Sequence, residues 1–189
     1  MMAEKERKGT LVWPAFIQPK LNGVRCLVRR VGNTIIFTSR KAKVYKNFNL
    51  YMEPEFLNIM DDGDILYGEM YNHGDITFQE LKSLIKNEKT PDLVALKKYV
   101  KFYCYDRPHV TRGFEDRFVM WIQSDWGLTY FRRVLTYKIY GESEVMEIHG
   151  QFMEKGYEGS NVRSGGNEPY NFQYRDNQLQ KNKDFLDYE

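Results

Sequence analysis

The sequence predicts an α+β domain, on three observations. Short β-branched and aromatic runs alternate with period two at 27–38, 65–71 and 99–105. Segments with helical apolar spacing occupy 77–87, 114–126 and 142–155. The two kinds of segment are mixed without the regular strand–helix–strand alternation of a doubly wound sheet.

Taken in order, residues 1–10 (MMAEKERKGT) read as a loose charged arm, and the domain proper spans 11–189. Leu27 to Thr38 reads as a hairpin, with CLVRR and TIIFTS flanking a Gly32-Asn33 turn. Phe56–Met60 suits a helical turn, followed by an acidic loop from Asp61 to Asp64. Ile65–Tyr71 alternates like a strand. Thr77–Asn87 puts Phe78, Leu81, Leu84 and Ile85 on one helical face, with Thr77 as N-cap. Tyr99–Tyr105 is a strand by composition, Phe114–Trp126 and Glu142–Lys155 are amphipathic helices, and RRVLTYKIY between them alternates as a strand. From Gly156 onward the chain reads as loop-rich.

The 189 residues are 42% hydrophobic and 29% charged, which suits one domain with a real core rather than a disordered chain. There is no apolar run long enough to span a bilayer and no secretory signal pattern, so a cytosolic monomer without membrane contact is the expectation. Cys26 and Cys104 match no metal spacing and read as buried thiols. His73, His109 and His149 form no cluster and read as structural or surface residues. Net charge is only +2, but its distribution is uneven. Arg7 to Lys46 holds ten basic residues and no acid; Glu53 to Glu80 holds eight acids and no Lys or Arg. Because the basic run overlaps strands, it makes a surface for a polyanion plausible.

The sharpest chemical feature is Lys20-Leu21-Asn22-Gly23-Val24-Arg25. A lysine amine attacks an electrophile only when neutral, and nearby cations with partial desolvation favour that form. Gly23 permits close backbone approach, and Arg25 offers a planar fork for phosphate or ribose oxygens. Alone, the hexapeptide fits a surface lysine before an ordinary turn equally well. Tyr105 alone suits a core, Glu69 an ordinary strand carboxylate, and Lys181 with Lys183 a solvated tail.

The order of further elements changes that balance. KLNGVR is followed by Ser39-Arg40, Tyr67-Gly68-Glu69, Gly74-Asp75-Ile76-Thr77-Phe78-Gln79, Phe102-Tyr103-Cys104-Tyr105-Asp106, Glu158-Gly159-Ser160-Asn161-Val162-Arg163 and Lys181-Asn182-Lys183. The sequence thereby resembles the covalent nucleotidyltransferase superfamily, and within it ATP-dependent DNA ligases of the small viral and phage type. The matching elements span nearly the whole chain. The resemblance implies a nucleotidyltransferase (ATP-grasp-like) domain of antiparallel β-sheets flanked by helices. It implies ATP as cofactor and Lys20 as the nucleophile that takes AMP, with Mg²⁺ held by Glu158 and Glu69. Glu69 would also accept from a ribose hydroxyl, Tyr105 would stack on adenine, and Gln18 would read the adenine edge. Arg25 and Arg40 would contact the nucleotide, and Lys181 and Lys183 would neutralise the α-phosphate. Nicked duplex DNA is the implied partner, with Arg25, Arg40 and Arg175 on its 5′-phosphate and backbone. Arg29, Arg30, Lys41, Lys43 and Lys46 are expected to extend this as non-specific phosphate contacts. The family continues into an OB-fold domain after the last element, so such a domain in cis is also expected.

Three positions depart from the family pattern. Asn22 stands for the motif aspartate, Tyr67 for the Asp of Asp-Gly-Glu, and the element from Glu158 to Arg163 is more polar than usual. A capping guanylyltransferase shares the lysine motif but usually lacks the arginine matched by Arg163. RNA-joining families generally lack the arginine matched by Arg25. A non-catalytic ligase-like nucleic-acid-binding module is the third alternative, and Asn22 is the feature that allows it.

Overall fold

The computed structural model describes residues 3–5, 11–119, 127–165, 169–170 and 176–182. The chain divides into two compact units: Met1–Leu21, His109–Trp121 and Val134–Glu189 form the first, Asn22–Pro108 and Ile122–Arg133 the second. In chain order the elements begin with β1 (Ala3–Lys5), β2 (Ala15–Pro19), β3 (Val24–Val31) and β4 (Thr34–Ser39). Next come α1 (Glu53–Ile59), β5 (Ile65–Tyr71), α2 (Phe78–Lys86), α3 (Leu93–Tyr99) and β6 (Lys101–Asp106). The last are β7 (Phe131–Arg133), β8 (Tyr137–Ile139), α4 (Glu142–Glu154), β9 (Ser160–Arg163) and β10 (Asp176–Asn182).

The first unit is built on a five-stranded sheet of order β1-β10-β9-β2-β8. Its core comprises Ala15, Ile17, Ile139, Val145, Phe152 and Val162. Val145, His149 and Phe152 recur at helical spacing and form the buried face of α4. Strand β2 is buried at all five positions. Ala15 and Ile17 join that core, while Phe16, pointing the other way, meets the Phe114 ring edge at 5.3 Å.

The second unit is built on a sheet of order β4-β3-β5-β6-β7. A central β3 pairs antiparallel with β4 on one side and β5 on the other. The β3–β4 turn is the expected one, with Gly32 at φ 57°. Period-two alternation sorts the side chains: Cys26, Val28, Leu66, Met70, Phe102 and Cys104 are buried on one face. Phe37, Phe48, Phe56, Phe102 and Phe131 form an edge-packed aromatic core beneath it. The Glu55 carboxylate accepts from the amides of Thr129, Tyr130 and Phe131 at 2.6–2.9 Å, fixing the approach to β7. Helix α2 starts on a capping box between Thr77 and Glu80, as its sequence predicts.

The α+β class and the largely antiparallel sheets agree with the sequence reading, with two parallel pairs, β1–β10 and β6–β7. Several elements differ from it. Ala3–Lys5, expected in the loose arm, pair with β10. Strand β2 carries no alternation because both faces are covered, so no periodic signal marks it. Helix α3 occupies Leu93–Tyr99, capped by Asp92, where no element was expected, and its end pushes the next strand to Lys101. The alternating RRVLTYKIY run is two strands, β7 and β8, in different sheets. The expected helix from Phe114 appears as a π-helical turn, Glu115–Val119, and its remainder, including Met120, Trp121 and Trp126, lies outside the described residues. The segment after Gly156 contains β9 and β10 rather than loop. Both cysteines are buried free thiols, and burial pushes both thiols up. No helix among the described residues is long and apolar enough to cross a membrane.

Replacing Thr77 with Ala removes the α2 cap and is expected to lower stability by about 1 kcal/mol in urea unfolding. An unchanged midpoint would show that the capping box contributes nothing.

Candidate active site

In the first unit the site begins where β2 ends. Strand β2 pairs with β9, placing Gln18 opposite Asn161 and Pro19 opposite Ser160. The ladder continues one step further: the Lys20 amide donates to the Gly159 carbonyl at 2.8 Å, and the Glu158 amide donates to the Lys20 carbonyl at 3.1 Å. This reciprocal pair fixes the backbones of Lys20 and Glu158 side by side, and the Lys20 ammonium forms an ion pair with the Glu158 carboxylate. Their side chains are 21% and 30% exposed, so a ligand can reach both. Gly159 has φ 146°, a region closed to residues with a Cβ, so the turn into Glu158 depends on glycine.

The same sheet orders its other polar groups. Gln18, Asn161 and Lys181 form one row across β2, β9 and β10, and directly opposed residues share a face. Gln18 is buried and donates to the Thr136 hydroxyl at 2.9 Å. Lys181 is half-buried. Arg163, at the end of the Glu158–Arg163 element, is buried with its guanidinium 4.4 Å from the Phe114 ring centre. His149 is buried on Ser160 at 3.0 Å, a structural pairing. Lys183 and Arg175 lie outside the described residues.

In the second unit the half-exposed face of the sheet carries the other candidates. The register sets Arg25 opposite Glu69, and Glu69 opposite Tyr103. The Arg25 guanidinium lies 5.2 Å from the centre of the Tyr67 ring. Glu69 accepts from the Gly23 amide at 3.0 Å. A Cβ on Gly23 would meet both this carboxylate oxygen and the Met70 carbonyl at 2.8 Å, so the contact requires glycine. Burial pushes the Tyr105 hydroxyl up; Arg25 opposes that rise, and Glu69, Tyr67 and Asp106 add to it. Arg25, Tyr67, Glu69 and Tyr105 therefore share one electrostatic neighbourhood. Tyr71 meets the Tyr103 ring edge-on at 5.1 Å and bonds His73 at 2.6 Å, so His73 is structural.

Ser39 and Arg40 open a tight turn. The Ser39 amide donates to the Lys43 carbonyl at 2.8 Å, and the Lys43 amide donates to the Ser39 hydroxyl at 3.0 Å. The turn borders a cavity of about 550 Å³ whose charged lining is Arg25, Arg40, Lys41, Lys43, Lys86 and Glu88. Lys86 and Glu88 were not expected here: they come from the end of α2, and nothing in their local sequence ties them to the basic stretch. The expected role of Arg30 is corrected. Its guanidinium donates to the carbonyls of Gly32, Leu57 and Met60, joining the hairpin to α1 instead of facing a phosphate. Lys43 is paired with Glu88 at 3.2 Å.

Among the described residues no group of three or more His, Cys, Asp or Glu side chains could hold a metal by itself. Glu158 and Glu69, the expected metal ligands, lie in different units. Mg²⁺ commonly takes one or two carboxylates together with substrate phosphates and water, and the hard oxygens of Glu158 fit that pattern.

No protein-family model matches the sequence, and no curated protein matches it. Solved structures do. A Lig E DNA ligase, described as DNA binding with a minimal scaffold, aligns at TM-score 0.73 with 17% identity, over 97% of this chain and 68% of its own. Chlorella virus DNA ligase-adenylate aligns at TM-score 0.69 with 20% identity, over 97% of this chain and 66% of its own. The ATP-dependent DNA ligase of bacteriophage T7, in complex with ATP, aligns at TM-score 0.64 with 17% identity, over 89% of this chain and 61% of its own. The chain thus has the α+β fold found in ATP-dependent DNA ligases and spans about two thirds of the length of these relatives.

Substituting Gly23 with Ala forces Glu69 or the β5 backbone to move and is expected to cost about 1–3 kcal/mol in chemical unfolding. Wild-type stability in that variant would mean Glu69 relocates freely and is not held by Gly23.

Proposed function

We propose that this chain is the adenylating domain of an ATP-dependent polynucleotide ligase, with Lys20 as the nucleophile. The observation that carries this is the Lys20–Glu158 pair, fixed by reciprocal backbone hydrogen bonds at the end of β2, in a fold shared with ATP- and adenylate-bound DNA ligases. A lysine placed by its own backbone bonds and still 21% exposed suits contact with a ligand rather than packing.

In the proposed reaction Lys20 Nζ loses a proton, for which the Glu158 carboxylate is the adjacent acceptor, and attacks the α-phosphorus of ATP. The bond from that phosphorus to the pyrophosphate oxygen breaks, and a phosphoramidate, lysyl-AMP, forms. Such transfers depend on in-line positioning and charge neutralisation more than on acid–base chemistry. Lys181 and Lys183 are assigned to the α-phosphate. Glu69 is assigned to a ribose hydroxyl, Tyr105 to stacking on adenine, Gln18 to the adenine edge, and Arg25 and Arg40 to phosphate oxygens. Mg²⁺, with Glu158 as its best protein contact, would supply further neutralisation of the phosphates when bound. AMP would then pass to the 5′-phosphate of a nick in duplex DNA, where the 3′-hydroxyl displaces it. Arg25, Arg40 and Arg175 are the candidates for that 5′-phosphate, and binding would be sequence-independent and salt-sensitive. An OB-fold domain in cis is the expected complement to residues 11–189.

Intact-mass measurement after incubation with ATP and Mg²⁺ tests the reading. The chain is expected to gain one AMP, and the Lys20→Ala variant none. Label gained from GTP and not from ATP would point to a capping guanylyltransferase, and no gain from either would sink the catalytic reading.

A further inference from the structure

The cavity of the second unit extends past the two arginines assigned to phosphate. Its lining also includes Lys86, the last residue of α2, and Glu88 just beyond. Five cations line it, Arg25, Arg40, Lys41, Lys43 and Lys86, against a single carboxylate, Glu88. That excess suits an anion, and about 550 Å³ accommodates a nucleotide-sized group.

Glu88 is poorly served by its position. Its Oε2 pairs with Lys43 at 3.2 Å, while its Oε1 is buried without a hydrogen-bond donor. The Lys43 side chain is 64% exposed, and an exposed ion pair contributes little. A buried carboxylate oxygen without a donor costs free energy. The Lys43–Glu88 pair is therefore weakly held, and an incoming anion with better geometry can displace it. A phosphodiester brings two unesterified oxygens that share one negative charge and accept strong hydrogen bonds from ammonium groups.

We propose that this cavity is a subsite for a backbone phosphodiester of a polynucleotide, held by Lys41, Lys43 and Lys86. Glu88 is the exchangeable partner that gives up Lys43 when the phosphate enters. The identity of the polyanion as polynucleotide rests on the ligase reading. No covalent bond changes: Lys43 trades a carboxylate for a phosphate, and Glu88 turns to solvent. Glu88 competes with the phosphate for Lys43 and so lowers the affinity of binding, which favours release of the strand.

Binding of a nicked DNA duplex to the parent chain, Lys86→Gln and Glu88→Gln, followed by fluorescence anisotropy across a NaCl series, tests this. Lys86→Gln is expected to weaken binding several-fold and to make the slope of log K against log salt shallower by about 0.9. Glu88→Gln is expected to tighten binding several-fold, since Lys43 is then released from its carboxylate partner. Equal or weaker binding by Glu88→Gln, or the parent slope in Lys86→Gln, overturns the proposal. Adenylation of the parent chain by ATP is read separately. A shifted Lys86→Gln slope with no AMP gained would sink the ligase reading and keep the subsite; AMP gained with an unshifted slope would do the reverse.

Discussion

The arrangement of the first unit depends on one register, that of β2 against β9. Its last rungs are the two hydrogen bonds that tie Lys20 to Glu158 and Gly159. A slip of one residue would turn every side chain of β2 to the opposite face. Ile17 would leave the apolar core, and Lys20 would lose Glu158. The register is strongly specified because β2 is buried on both faces: Ala15 and Ile17 can fill only one side and Phe16 only the other. Lys20 is thus placed by apolar packing several residues upstream of it. The same rungs align Gln18 and Lys181 through Asn161. A lysine, a carboxylate and a second cation are therefore brought together at three neighbouring strands, β2, β9 and β10, although 130 or more residues separate the first from the others in sequence.

Charge in the second unit shows how far composition can be trusted. The acid-free basic stretch from Arg7 to Lys46 suggests a uniform cationic surface, but the fold divides it. Arg30 is drawn inward and spends its donors on carbonyls, a structural role that its neighbours in sequence do not announce. Lys43 is neutralised by Glu88, a residue from beyond the acidic stretch that separates them in sequence. What remains concentrated is the cavity at the turn after β4, which Arg40 and Lys41 line together with Lys86 from the end of α2. The effective field is the product of tertiary placement, and only its sign was readable from the linear pattern.

Legibility followed the physical origin of each signal. The β3–β4 hairpin, β5 and α2 announced themselves because each has one solvent-facing side, which leaves a period, and because Gly32 and the Thr77–Glu80 box are local chemistry. Strand β2 was silent because nothing polar alternates in it. The alternation across RRVLTYKIY was real, but it was interrupted at Val134–Thr136, where the chain leaves one sheet for the other. Strand β9 was obscured by polar Ser160 and Asn161, which are held by His149 and by cross-strand pairing rather than by apolar burial. The site residues were found through the order of short motifs spread from Lys20 to Lys181. Lys86 and Glu88 lay outside any motif and became visible only when α2 was packed.

Tyr67 changes the chemistry of Arg25 more than the composition of its motif suggests. The Tyr67 ring lies against the cation, 5.2 Å from ring centre to guanidinium carbon. Such a contact attracts the cation to the ring and adds no formal negative charge beside it. Glu69, opposite Arg25 in the register, accepts from the Gly23 amide with one of its oxygens. Asn22, exposed and next to Gly23 in the chain, adds no charge of its own. Tyr67 and Asn22 are both uncharged, so neither offsets the charge of Arg25. The consequence is a guanidinium that meets one ring and one carboxylate, Tyr67 and Glu69, on the same face of the second unit's sheet.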